Sequence, residues 1–189
     1  QATKLEEGCY FGMFNGCASL TAAPKLPATE LERLCYGDMF CNCTSLESAP
    51  ELPATKLAEN CYYEMFSGCT SLTSAPKLSA IELAEACYCK MFRGCENLSS
   101  VTMLAPSDKI KNTSSSFNYW LYGAGTKDGI TRTLIVLDEA ASSLTMSVRD
   151  FTVGSVPALS NQLSHQFEIW SLGANIVTVD NFVQPLNIS

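Results

Sequence analysis

The sequence predicts an α/β repeat fold: a solenoid with one short parallel strand and one helix per 26-residue unit, followed by a β-rich C-terminal region. Three observations predict it. The motif Cys-Tyr-x-x-Met-Phe-x-Gly/Asn-Cys recurs every 26 residues without an insertion, so Met13, Met39, Met65 and Met91 share one column. Both motif cysteines keep the same interval, as Cys9, Cys35, Cys61 and Cys87 and as Cys17, Cys43, Cys69 and Cys95. Self-similarity at such a period marks a stacked array in which no unit buries its apolar face alone. Beyond Asp128-Gly129 the pattern changes to alternating and β-branched runs.

The unit from Thr55 to Leu78 shows the expected elements in order. Leu57, Cys61, Tyr62, Met65, Phe66 and Cys69 fall on one broad helical face. Thr55 is placed to cap the start, and Thr3-x-x-Glu6 and Thr29-x-x-Glu32 read as capping boxes in the two preceding units. Gly16, Asn42, Gly68 and Gly94 precede the second cysteine. Glycine and asparagine best tolerate the left-handed conformation that closes a helix. An extended piece follows, with Leu20, Leu46, Leu72 and Leu98 in one column and Leu26, Leu52, Leu78 and Leu104 in another. It should form one strand per unit, paired with its copies about 4.8 Å away. Pro24, Pro50 and Pro76 cannot donate to a ladder, so each strand must be brief.

The fourth unit decays. Thr102 replaces its proline, and Lys109 stands where a helix leucine is expected. A degenerate helix containing Phe117, Trp120 and Leu121, stopped by Gly123, should cover the end of the array. The organisation expected is an array over 1–124 and a β-rich cap or small domain over 125–189. Within the latter, strands are predicted over Thr131–Leu137, Leu144–Val148, Phe167–Trp170 and Ile176–Val179. Gln1 enters partway through a unit, since Ala2-Thr3 aligns with Ala28-Thr29, and the sequence reads as a mature or trimmed fragment.

Composition bounds the function. Apolar residues make up 47% of the 189, enough for a real core, and the net charge is -7. Neutralising phosphates needs clustered Lys and Arg, which neither half carries, so nucleic acid is not expected as a partner. No apolar run approaches the roughly 18 residues of a membrane span. Catalysis is not expected either. The single histidine, His165, is flanked by polar residues, no nucleophile or metal-protease motif is present, and Asp138-Glu139 are neighbours in a turn. No catalytic residue, cofactor or metal is therefore assigned.

The segment Met65-Phe66-Ser67-Gly68-Cys69-Thr70-Ser71-Leu72, followed by Ala75-Pro76 and Leu78, resembles the BspA-like leucine-rich repeats of bacterial surface proteins, especially those of gut and oral Bacteroidetes. The other units match it column by column, so the resemblance covers residues 1 to about 106; the C-terminal region remains unassigned. The resemblance implies a leucine-rich-repeat solenoid that is secreted or cell-surface anchored and recognises a host protein, a glycan or another envelope component. It supplies no catalytic residue.

The candidate binding strip is the outward side of the strands: Thr21, Glu47 and Thr73 in one column, Lys25, Glu51 and Lys77 in another. The bland alternative is a solvated ladder whose opposite charges set the stacking register. Trp120 and Trp170 lie outside the repeats and are candidate aromatic platforms for a sugar, although a lone tryptophan is more often core or cap. Tyr10, Tyr36, Tyr62 and Tyr88 fall inside the apolar arc and read as packing. The cysteine columns favour thiols acting as small buried hydrophobes over a disulfide framework, and a bridge between neighbouring units stays open. Cys41 and Cys89 fall outside the columns and are expected to be exposed. The function expected is a non-enzymatic surface recognition or adhesion module. The alternatives are a structural subunit or spacer of an envelope, fibre or virion assembly, and an accessory surface lipoprotein of a glycan-uptake system.

Overall fold

A computed structural model describes residues 3–137 and 175–179. Successive 26-residue units lie side by side and in parallel. Single bridges join Lys4 to Glu30, Ala22 to Ser48, Lys56 to Glu82 and Ser74 to Ser100, each pair one period apart.

The helix expected in each unit is absent. Residues 8–17, 34–43, 60–69 and 86–95 form instead a ribbon of overlapping turns. In the first unit the N–H groups of Cys9, Phe11, Met13, Asn15 and Cys17 each reach the carbonyl three residues back. Those of Gly8, Tyr10, Gly12, Phe14 and Gly16 instead cross to the next unit. They donate to Arg33, Cys35, Gly37, Met39 and Cys41 at 2.8–3.0 Å. The second and third units repeat this alternation. The fourth donates from Tyr88, Lys90, Phe92 and Gly94 to Ser116, Asn118, Trp120 and Tyr122.

The cause is a left-handed residue at every fourth position. Gly8, Gly12 and Gly16 have positive φ, as do Leu34, Asp38 and Asn42, then Asn60, Glu64 and Gly68, then Ala86, Lys90 and Gly94. An α-helix tolerates no such interruption. Gly16, Asn42, Gly68 and Gly94 are thus left-handed, but each closes a turn rather than a helix. With no helix to cap, Thr3 and Thr55 act through their carbonyls, which accept the N–H groups of Thr29 and Glu30 and of Ile81 and Glu82.

Strand formation is limited by proline. Units carrying Pro24, Pro50 and Pro76 make only isolated bridges. Where Thr102 replaces the proline, the bridge grows into β1 (Ser100–Met103). After it comes a short helix α1 (Ser107–Asn112), the only α-helix among the described residues, and then a 3-10 turn at Ser114–Phe117. β2 (Thr133–Leu137) pairs in parallel with β1, and β3 (Asn175–Val179) in parallel with β2. The ladder therefore runs on past the boundary expected at 124/125. β2 and β3 coincide with two of the expected strands; Leu144–Val148 and Phe167–Trp170 lie outside the described residues. The degenerate helix expected around Phe117 to Gly123 is a fifth turn ribbon, with Tyr119 and Gly123 at positive φ.

One core runs from Leu5 to Leu134. Tyr10, Tyr36, Tyr62 and Tyr88 stack with centroids 5.7, 6.1 and 6.1 Å apart. Phe14, Phe40, Phe66 and Phe92 stack at 5.6, 5.6 and 5.7 Å. These separations suit offset stacking. The second cysteine column lies between layers: the thiols of Cys43, Cys69 and Cys95 donate to the carbonyls of Phe14, Phe40 and Phe66 at 3.0, 3.1 and 3.0 Å. Each of these carbonyls also accepts the N–H of the second cysteine in its own unit, so the thiol is its second donor.

Candidate functional site

The strip residues sit where the short bridges hold the strand segments in register. Thr21, Lys25, Glu47, Glu51, Thr73 and Lys77 are all exposed. The Glu47 N–H donates to the Thr21 carbonyl at 3.1 Å, which sets that column. Beside Lys25 and Glu51 runs an open groove of ≈ 550 Å³, walled by Pro24, Pro27, Pro50 and Pro53 with Ala23 and Leu26. Pro24 and Pro53 are exposed, Pro27 is half-buried and Pro50 is buried, and each interrupts the ladder because a residue without an N–H cannot donate to it. Rigid pyrrolidine rings flanked by one ammonium and one carboxylate make a shallow, mostly apolar, dipolar surface. Such a surface can hold an extended chain or a sugar face without chemistry of its own. Sequence reasoning used Pro24 and Pro50 only as strand stops and passed over Pro27 and Pro53; their recurrence as Pro-x-Leu-Pro in two units was the signal for a wall.

The platform alternative for Trp120 is overturned, and so is the exposure expected of Cys41 and Cys89. Trp120 is 0% exposed, packed edge-on against Phe117 at 5.2 Å, and so offers no platform. Phe117 ends the tyrosine column 5.8 Å from Tyr88, and the Trp120 carbonyl accepts the Phe92 N–H at 2.8 Å. Cys41 and Cys89 are buried rather than exposed. The turn ribbon, unlike a helix, turns these positions toward their neighbouring units. Trp170, His165 and Asp138-Glu139 lie outside the described residues. All ten cysteines are free thiols, with only Cys9 and Cys17 exposed.

A second cluster was not anticipated. Asp38, Cys41 and Glu64 bring their ligating atoms within 4.8 Å of one another on the opposite, ribbon side. The Lys90 ammonium reaches Glu64 at 2.7 Å and the Tyr63 hydroxyl at 2.9 Å. Burial alone would raise the Glu64 carboxyl, but hydrogen bonds from Lys90 and Tyr63 outweigh it and hold it low. Burial, then the Glu64 charge, pushes Asp38 up, and burial followed by both carboxylates pushes the Cys41 thiol up to about 11. The cation of this cluster is thus Lys90, and the group reads as an internal ion pair with an excess carboxyl. The signal in the sequence was charge at one 26-residue column, Asp38, Glu64 and Lys90, where the first unit has Gly12.

Among the described residues no helix is long and apolar enough to cross a membrane. No family model matches this chain, and no curated protein or solved structure matches it either.

Proposed function

We propose that this chain is a leucine-rich-repeat array of the BspA-like kind, acting without catalysis as a recognition or adhesion module, secreted or held at the cell surface. Its ligand is a protein or a glycan, taken on the strand side along Thr21, Lys25, Glu47, Glu51, Thr73 and Lys77. The observation that carries this reading is the exposure of all six side chains on one side, next to the proline-walled groove. A recognition surface held by repeated turns and bridges is pre-ordered, so little ordering entropy is lost on binding.

The test is binding of the purified chain to panels of host matrix proteins and glycans. At least one ligand should bind with a Kd on the order of micromolar. The triple variant Lys25→Glu, Glu51→Lys, Lys77→Glu should weaken it about tenfold or more while the fold is kept. Flat responses from a folded sample, or unchanged binding by the variant, would sink the reading.

A second reading, a structural subunit or spacer in an assembly, is favoured by one observation: Ile81, Tyr119 and Tyr122 are large apolar side chains about half exposed. Recovery of a discrete complex from the native source, with Ile81 and Tyr122 buried in it, would support that reading.

A further inference from the structure

The group formed by Asp38, Cys41 and Glu64 holds more negative charge than its own cation matches. The ligating atoms of the three lie within 4.8 Å of one another on the ribbon side. Lys90, in the fourth unit, holds Glu64 at 2.7 Å. Asp38 and Cys41 come from the second unit and meet Glu64 from the opposite layer. Asp38 has no partner of that kind. Its Oδ1 is screened from solvent and makes no hydrogen bond. A buried oxygen left unpaired in this way calls for a cation or a donor.

This group is not a gathering of surface acids. A thiol joins the two carboxyls, and it is held inside the fold: Cys41 is 7% exposed. Ser67, one period on in the same column, is buried beside it. Burial and the charges of Asp38 and Glu64 oppose the Cys41 thiolate, while a hydrogen bond with Ser67 favours it. A second partner of this sort fixes the direction of a ligand. Cys43, two residues on, stands apart, because its thiol donates to the Phe14 carbonyl at 3.0 Å.

The donor set selects the cation. Calcium and magnesium take oxygen ligands, whereas one thiolate with two carboxylates suits zinc. Ligands at about 2.0–2.3 Å from zinc stand about 3.3–3.6 Å apart at the tetrahedral angle, inside the bound these atoms meet. Once the thiol proton has passed to water, the three groups carry three negative charges. Zn²⁺ and the Lys90 ammonium together balance them, and Arg93 adds a weaker pull on Glu64.

We propose that Asp38, Cys41 and Glu64 bind one zinc ion, with water in the fourth tetrahedral position, and so clamp the second unit to the third. The site lies away from the strand-side strip, and its failure would leave the recognition reading intact.

The test uses the full chain with Cys9→Ser and Cys17→Ser, which removes the two exposed thiols. The protein is kept reduced and stripped of metal before titration. Calorimetry with Zn²⁺ should show one equivalent bound, with a Kd on the order of micromolar or below. Co²⁺ in its place should give a thiolate-to-metal charge-transfer band in the near ultraviolet. Cys41→Ser and Asp38→Asn should each weaken zinc binding about tenfold or more. Asp38→Asn separates ligation from folding, because losing an unpaired buried charge should raise the metal-free Tm while zinc affinity falls. A folded chain that binds no zinc, or zinc affinity unchanged by Asp38→Asn or Cys41→Ser, would overturn the proposal. So would a cobalt spectrum without the thiolate band. Displacement of zinc by an equal concentration of Ca²⁺ would overturn it too, since it would mark a site built of oxygen alone.

Discussion

At the scale of the residue, the positive φ column decides most. Non-glycine residues in the left-handed region cost about 1–2 kcal/mol each. Ala86, at φ 51, has no side-chain bond to offset that cost. Ala86→Gly should therefore raise stability by about 0.5–1 kcal/mol, the strain relieved less the extra chain entropy of glycine. Urea denaturation measures it. Within the Gly16 column the layers are unequal. A Cβ on Gly94 would meet only the Gly68 backbone at 3.9 Å, whereas one on Gly68 would meet the Asn42 amide oxygen at 2.5 Å. Gly94→Asn should thus be better tolerated than Gly68→Asn, and Gly68→Val worse than both. Thermal melts that rank Gly68→Val with the asparagine variants would contradict the left-handed assignment.

The Asp38 carboxyl makes a pH-dependent case at the same scale. Its pKa is raised in the folded chain, by burial first and then by Glu64. The unfolded chain gives up that proton more readily, so ionisation of Asp38 costs folded stability once pH rises through the ordinary carboxylate range. Asp38→Asn should raise Tm at about pH 7 and lose that part of the gain at about pH 3. Glu64 behaves oppositely. Its lowered pKa contributes stability above the ordinary range that is lost as acid protonates it. An Asp38→Asn gain that is identical at the two pH values would show that charge is not the cause.

At the scale of the element, the unit is defined by alternation of its N–H groups. An alanine inserted between Tyr62 and Tyr63 exchanges inward and outward donors for the rest of that ribbon. It should cost more than Phe66→Ala, itself about 3–5 kcal/mol for a buried phenylalanine. Denaturant midpoints of the two variants settle the order. This is also the scale at which the sequence misled. Cys61, Met65 and Cys69 are spaced by four, and so are Asn60, Glu64 and Gly68. Over so short a stretch a period of four drifts little from 3.6, and a broad helical face absorbs it. The left-handed set was disguised because it contains Leu34, Glu64, Ala86 and Lys90, residues with no local preference for that region. The aromatic columns were legible, because spacing alone puts Tyr36 over Tyr62. The burial of Trp120 was legible in part, because bulk in the unit that ends an array reads as a cap before it reads as a platform. The strip was legible as charges between leucines; the groove beside it was not, because its walls are set by packing between units.

At the scale of the whole molecule, the array has a polarity. The layer at one end is open and the layers at Phe92 and Trp120 are closed. Ion pairs add lateral ties across layers, as Arg33 meets Glu7 at 2.9 Å and Glu59 at 3.2 Å, but these are exposed and bear more on register than on stability. The open end should therefore be the first to loosen. Amide exchange at Tyr10, Gly12 and Phe14 should be about tenfold or more faster than at Tyr62, Glu64 and Phe66, although both sets donate equivalent bonds. Uniform protection would mean that the layers open only together.

The uninterrupted 26-residue period also has a mechanical consequence. If the chain is held at the Leu134 end and drawn from Thr3 in an optical trap, neighbouring layers resist through near-identical junctions. Force should then release them one after another. Each rupture among the first four units frees the same length of thread, roughly 90 Å for 26 residues at full extension, and the fifth layer, set 33 residues on from Ser100 to Thr133, frees more. The force–distance trace would be a sawtooth of equal teeth with one longer tooth for the fifth layer, a ruler written into the polypeptide.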